Sequence, residues 1–182
     1  MKNLRPIVLV AALVALCLPG RAADRKSPHD TITADIAGDH LTLSYGRPYS
    51  KSPKTGEIRT IWGKLVPWDK PYRLGADEAT QLKTEKALTF GGTVIPAGTY
   101  TLYQIPSAAG ASKLAFSSAI DKWGVPVDVD HDVARVDLAK GPLAPQLDQL
   151  TIVIEADAST GGGVLKIEWE TTVFSAPFTV AK

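Results

Sequence analysis

The chain has 182 residues, 45% hydrophobic and 21% charged, with 15 Gly, 13 Pro and a single Cys. Those figures fit one globular domain and exclude a disordered chain, a polytopic membrane protein and an internal disulfide framework. The formal net charge of +1 carries no basic excess to hold nucleic acid, so nucleic acid is not an expected partner.

The N-terminus reads as a secretory signal. Lys2 and Arg5 precede an uncharged apolar run, Ile7 to Leu18, and Gly20 and Ala22 are small residues placed for a cut after Ala22. The run has 12 residues, whereas a membrane span needs roughly 20, so no retained span is expected. Residues 1–22 are therefore read as a cleavable signal peptide and residues 23–182 as the mature domain, exported to the periplasm or the exterior. Removing Lys2, Arg5 and Arg21 leaves 17 basic residues against 19 acidic ones, a net charge of −2. The mature chain also loses Cys17, which suits an oxidising compartment.

Period-two alternation begins soon after. Ile32, Ala34 and Ile36 alternate with Thr33 and Asp35, and Leu41, Leu43 and Tyr45 with Thr42 and Ser44. The Ala37-Gly38-Asp39 turn between them predicts a hairpin. Tyr49 to Gly56 reads as a loop. Ile58, Ile61, Trp62 and Leu65 fall at i, i+3, i+4 and i+7, which predicts one short helix, stopped by Pro67. Short strands are then expected at 80–84, 87–90, 94–95, 99–105, 114–118 and 133–138. A long hairpin around Leu150–Glu155 and Leu165–Glu170 follows, turning at Thr160 to Gly163. Val173–Val180 closes the chain as a strand, and Pro177 suggests a sheet edge. The pattern predicts an all-β protein, a single antiparallel β-sandwich with one short helix; a closed barrel is the alternative.

Catalytic signatures are few. There is no Gly-x-Ser-x-Gly elbow, no His-Glu-x-x-His helix, no P-loop and no Gly-x-Gly-x-x-Gly. Asp128, Asp130 and Asp132 alternate like the start of a calcium loop. Val133 and Ala139 stand where such a loop needs its Gly and its bidentate Glu, so calcium and a solvated acidic loop are both open readings. No other cofactor is implied.

The most unusual polar stretch is Arg73-Leu-Gly-Ala-Asp77-Glu78-Ala-Thr80, with Tyr45-Gly-Arg47-Pro as a source of an ion partner. A turn Gly beside two carboxylates, a guanidinium and a hydroxyl can shape a polar site, and loop aromatics such as Trp62 and Trp123 can stack on a ligand. The candidate ligand-binding set is thus Tyr45, Arg47, Trp62, Arg73, Asp77, Glu78, Thr80 and Trp123. The favoured reading is a non-catalytic module that binds a small molecule, a glycan or an envelope protein. A carboxylate- or metal-dependent hydrolase using Asp77 and Glu78, and a structural protein of the cell envelope joined through its last strand, are the alternatives.

The ordered motifs Tyr45-Gly-Arg-Pro48, Ile61-Trp-Gly-Lys-Leu-Val-Pro67, Tyr72-Arg-Leu-Gly-Ala-Asp-Glu-Ala-Thr80, Pro96-Ala-Gly-Thr-Tyr-Thr-Leu-Tyr103 with Ile105-Pro106, and Trp123-Gly124 resemble the DUF2911 family. The resemblance runs from Ser27 to Val180. It implies a secreted or periplasmic bacterial protein and supplies no agreed activity. The family pattern usually reads Gly-Ala-Asn-Glu-Ala-Thr, where this chain has Asp77. The export reading has a direct check: mass spectrometry of the protein recovered outside the cytoplasm should give a chain beginning at Ala23, and a chain retaining Lys2 and Arg5 refutes it.

Overall fold

The computed structural model describes residues 27–120 and 123–182. The expected signal peptide lies outside the described residues, and no helix among them is long and apolar enough to cross a membrane.

The described chain is all-β. Nine antiparallel strands form one sheet: β1 (His29–Ile36), β2 (Asp39–Gly46), β3 (Thr80–Thr84), β4 (Leu88–Phe90), β5 (Thr93–Ile95), β6 (Gly98–Ile105), β7 (Ser112–Ser117), β8 (Asp132–Asp157) and β9 (Gly162–Val180). Their order is β1-β2-β3-β6-β7-β8-β9-β4-β5. The β1–β2 hairpin forms where alternation predicts it, with Ile36 paired to Asp39. Ala37 and Gly38 both take positive φ (50° and 75°), the turn whose twist matches paired strands.

Two long strands give the sheet its shape. The start of β8 pairs with β7, from Asp132 to Leu138, and the rest, from Ala139 onward, pairs with β9. The register slips between Pro142 and Leu147 and again between Leu147 and Thr151. Pro142 is the last paired residue before this stretch and Pro145 falls within it, and neither has an N–H to give to a ladder. Across from it Glu170 takes φ 53°. The sheet folds back over itself as a result. Phe90 of β4 meets Phe116 of β7 with ring centroids 5.4 Å apart, although β8 and β9 lie between those strands in the sheet order. A shared core of Leu41, Leu43, Leu82, Leu102, Leu114, Ile152, Ile167, Trp169 and Phe174 fills the fold. Each such side chain contributes about 1.5–3 kcal/mol of burial.

Two expectations are corrected. No helix forms at 58–65. Lys51 bridges Ile58, Trp62 bridges Val66, and the turn is closed by Leu65 N–H to Thr60 O and Val66 N–H to Ile61 O. Gly63 at φ 82° interrupts any helical run. The apolar spacing was misleading because Ile61 is fully buried while Ile58 is 70% exposed, so they share no face. The last strand is also not an edge: β9 lies between β8 and β4, and its end pairs with Leu88 and Thr89.

The end of β2 is held by side chains. The Tyr45 hydroxyl accepts the Ile152 N–H at 2.9 Å inside the core. Arg47 donates from Nε to Leu150 O at 3.2 Å and from Nη2 to Thr151 Oγ1 at 2.9 Å, and its Nη1 meets Asp30 Oδ2 at 3.3 Å. The buried Asp39 carboxylate accepts the Glu85 and Lys86 N–H groups and the Thr84 hydroxyl, pinning the far end of the β1–β2 hairpin to β3. Gly46 then abuts the loop before β3: a Cβ there would lie 2.1 Å from Ala76 O. Gly46→Ala is expected to destabilise the fold by about 1–3 kcal/mol or more in chemical denaturation. Gly110→Ala, whose added methyl meets only Ser107 Oγ at 3.5 Å, should change stability by less than about 0.5 kcal/mol.

Candidate functional site

The segment from Tyr72 to Thr80 is laced to itself. Tyr72 exchanges both backbone hydrogen bonds with Gln104 of β6. Arg73 donates from Nε to Gly75 O at 3.3 Å and from Nη1 to Asp77 O at 2.9 Å. The Tyr72 hydroxyl donates to the same Gly75 O at 3.3 Å, and buried Thr80 closes the loop from Oγ1 onto Leu74 O at 2.7 Å. Leu74 and Asp77 sit in left-handed backbone, φ 56° and 61°. Full burial of the Leu74 side chain offsets the strain at that position. Asp belongs to the residue types that accept this conformation most readily.

Beside this loop lies a cleft of about 340 Å³, whose lining includes Tyr49, Arg59, Leu65, Tyr72, Arg73 and Asp77. Trp169, itself fully buried, forms its innermost wall. Arg59 is fixed much as Arg73 is, by donating to main-chain carbonyls: Nε to Ser50 O at 3.2 Å and Nη2 to Tyr49 O. Among the described residues no carboxylate lies within ion-pair distance of either guanidinium. One carboxylate oxygen of Asp77, Oδ2, is shut away from solvent and has no hydrogen-bond partner among the described residues. Gln104, backbone partner of Tyr72, is also fully buried with both amide atoms unpartnered. Buried polar atoms without a partner are uncommon in a finished fold.

Of the residues singled out in the sequence, only Arg73 and Asp77 line this cleft. Tyr45, Arg47 and Thr80 are spent on the hydrogen bonds that hold the fold. Trp62 packs behind the cleft, its ring 4.9 Å from Phe174 and 6.2 Å from Trp169. Glu78 turns to His29, whose Nε2 it approaches to 2.7 Å, an ion-pair distance without the alignment of a hydrogen bond. Trp123 is half exposed and lies outside the cleft, although its neighbour Gly124 packs on Ala79. Arg59, Tyr49 and Tyr72 were not in the candidate set. Arg59 carried one signal, a lone guanidinium in a Pro/Ser-rich loop.

The three alternating aspartates take different partners. Asp128 meets His131 Nδ1 at 2.8 Å, and that hydrogen bond holds its carboxyl below the ordinary range. Asp132 accepts from the buried Tyr103 hydroxyl at 2.5 Å and from Arg135 Nε at 2.6 Å. Asp130 is exposed, and its N–H donates to Asp128 Oδ1. Among the described residues no three His, Cys, Asp or Glu side chains gather as a metal-ion site.

The described chain is an all-β protein with a small cleft, lined by apolar side chains and by Arg59, Arg73 and Asp77, beside the end of its first hairpin. The sequence model of one family, described as protein of unknown function (DUF2911), matches residues 27–178. The chain belongs to that family. No curated protein and no solved structure matches the chain.

Two phenols give the fold an alkaline limit. Burial pushes the Tyr72 hydroxyl far above its usual range, and burial together with the Asp132 carboxylate does the same for Tyr103. A folded-state pKa above the unfolded value of about 10 means that this stability is intact below pH 10 and is lost as pH rises beyond it. Urea midpoints should therefore hold up to about pH 10 and fall above it. Replacing both residues by Phe should flatten that fall, and an unchanged slope would refute the assignment.

Proposed function

We propose that this is an exported β-sandwich module, delivered to the periplasm or exterior by residues 1–22, that binds a small polar ligand in the cleft beside the Tyr72–Thr80 loop and does no chemistry on it. The observation that carries this reading is the pair of guanidiniums, Arg59 and Arg73, held among the described residues by main-chain carbonyls and not by carboxylates. A part-buried arginine that ties the fold together can take a carboxylate among its partners, as Arg47 does with Asp30. Arg59 and Arg73 are oriented while part of their donor capacity stays unused, which suits recognition of an outside acceptor. The cleft's volume sits at the lower end of small-molecule sites.

Binding is favoured over hydrolysis by the directions of the two carboxylates. Asp77 lines the cleft, whereas Glu78 is engaged with His29. A two-carboxylate mechanism needs both groups facing one substrate across roughly 5–10 Å.

The test is a thermal-shift screen of residues 23–182 against sugars, amino acids, organic acids, phosphates and metal ions. A ligand at 100 times its Kd adds about 2.7 kcal/mol, or roughly 5–10 °C for a domain of this size. Arg73→Ala should weaken such a ligand by about 10- to 100-fold, the worth of a charged hydrogen bond. A ligand that binds equally well to that variant, or turnover of any ligand found, would overturn the proposal.

A further inference from the structure

We infer that the cleft is built for an acidic amino acid: a small molecule with two carboxylates and one ammonium. This rests on the reading of the cleft as a ligand site and goes beyond it by assigning the ligand's charges.

The cleft presents two cations and one anion, Arg59, Arg73 and Asp77. Among the described residues Arg59 uses Nε and Nη2 on main-chain carbonyls and leaves Nη1 unused, and Arg73 uses Nε and Nη1 and leaves Nη2 unused. Each free guanidinium edge suits a carboxylate oxygen, and a planar fork held at its base loses little entropy on pairing. Arg59, Arg73 and Tyr72 all belong to the cleft lining, and Arg73 and the Tyr72 hydroxyl share the Gly75 carbonyl. Asp77 adds the opposite requirement. Its carboxylate stands in the cleft lining, with Oδ2 unpartnered among the described residues, and only a hydrogen-bond donor reaching the carboxylate from the cleft can offset its charge. An ammonium does so with full charge compensation.

Other ligand classes leave something uncompensated. A dicarboxylate without an amine places more negative charge beside a buried, unpartnered carboxylate oxygen. A neutral sugar leaves both guanidiniums without an anion. A neutral-side-chain amino acid fills one guanidinium and not the other. The apolar walls supplied by Leu65, Tyr49 and Trp169 suit a short methylene chain between the charged ends.

Isothermal titration of residues 23–182 with glutamate, glutarate and glutamine tests the charges one at a time. Glutarate lacks the ammonium and glutamine the second carboxylate. Glutamate should bind at least tenfold more tightly than either. Asp77→Asn keeps a residue that accepts left-handed backbone, so the variant should fold with an unchanged circular dichroism spectrum. In it the advantage of glutamate over glutarate should fall below about threefold. Equal binding of glutamate and glutarate in the unaltered protein, or an unchanged ratio in Asp77→Asn, overturns the ammonium site. Equal binding of glutamate and glutamine overturns the second carboxylate. No heat from any of the three overturns the acidic amino acid, while a sugar or phosphate hit that depends on Arg73 keeps the cleft as a ligand site.

Discussion

The Arg47 guanidinium is the point on which the arrangement turns. It bonds to Leu150 and Thr151 of β8 and pairs with Asp30 of β1, while Tyr45 two residues earlier takes the Ile152 N–H. Three partners taken by one part-buried guanidinium leave the end of β2 few positions available to it. The backbone that follows is drawn along β8: Tyr49 bridges Gln149, Ser50 N–H donates to Asp148 O, and Leu150 N–H donates to Pro48 O. Gly46 is thereby set against Ala76, and the Tyr72–Thr80 loop against the end of the first hairpin. The cleft exists because these segments meet there.

Much of the fold could be read from residue pattern. The alternation of Ile32–Ile36 and Leu41–Tyr45 gave the first hairpin, and that of Leu150–Glu155 and Leu165–Glu170 the last, because one face of each strand is buried and side chains alternate across a strand. The false helix shows the limit of the same argument. Four apolar residues at helical spacing lie at 58–65, but Gly63 takes positive φ and Ile58 points to water. Spacing reports a face only when all its members are buried. Strand lengths were also underestimated: the register slips in β8 let two predicted strands run together into one of 26 residues.

The candidate site was legible in part, for a chemical reason. Arg47, Arg59 and Arg73 look alike in a sequence, and the difference among them is whether their partners are carboxylates or carbonyls. Carbonyl partners come from main chain brought close by folding, which residue identity does not encode. Arg73 and Asp77 stood out because they share a short loop with Gly75. Arg59 and Tyr49 reach the cleft only after residues 48–59 double back on themselves along β8. Aromatic residues were ambiguous in the same way: Trp62 belongs to the packing around Trp169, and only tertiary contact separates it from Trp123 on the surface.

The left-handed backbone at Asp77 has an evolutionary consequence. Asn and Asp are near-equal tenants of that conformation and differ by one amide group against one oxygen. Where the resemblance to DUF2911 places Asn, this chain carries a charge, and the loop geometry gives no reason to prefer either. Selection can therefore reset the charge of the cleft by a single exchange while the scaffold stays as it is. Relatives sharing this fold can part company in what they recognise long before they differ in how they are built.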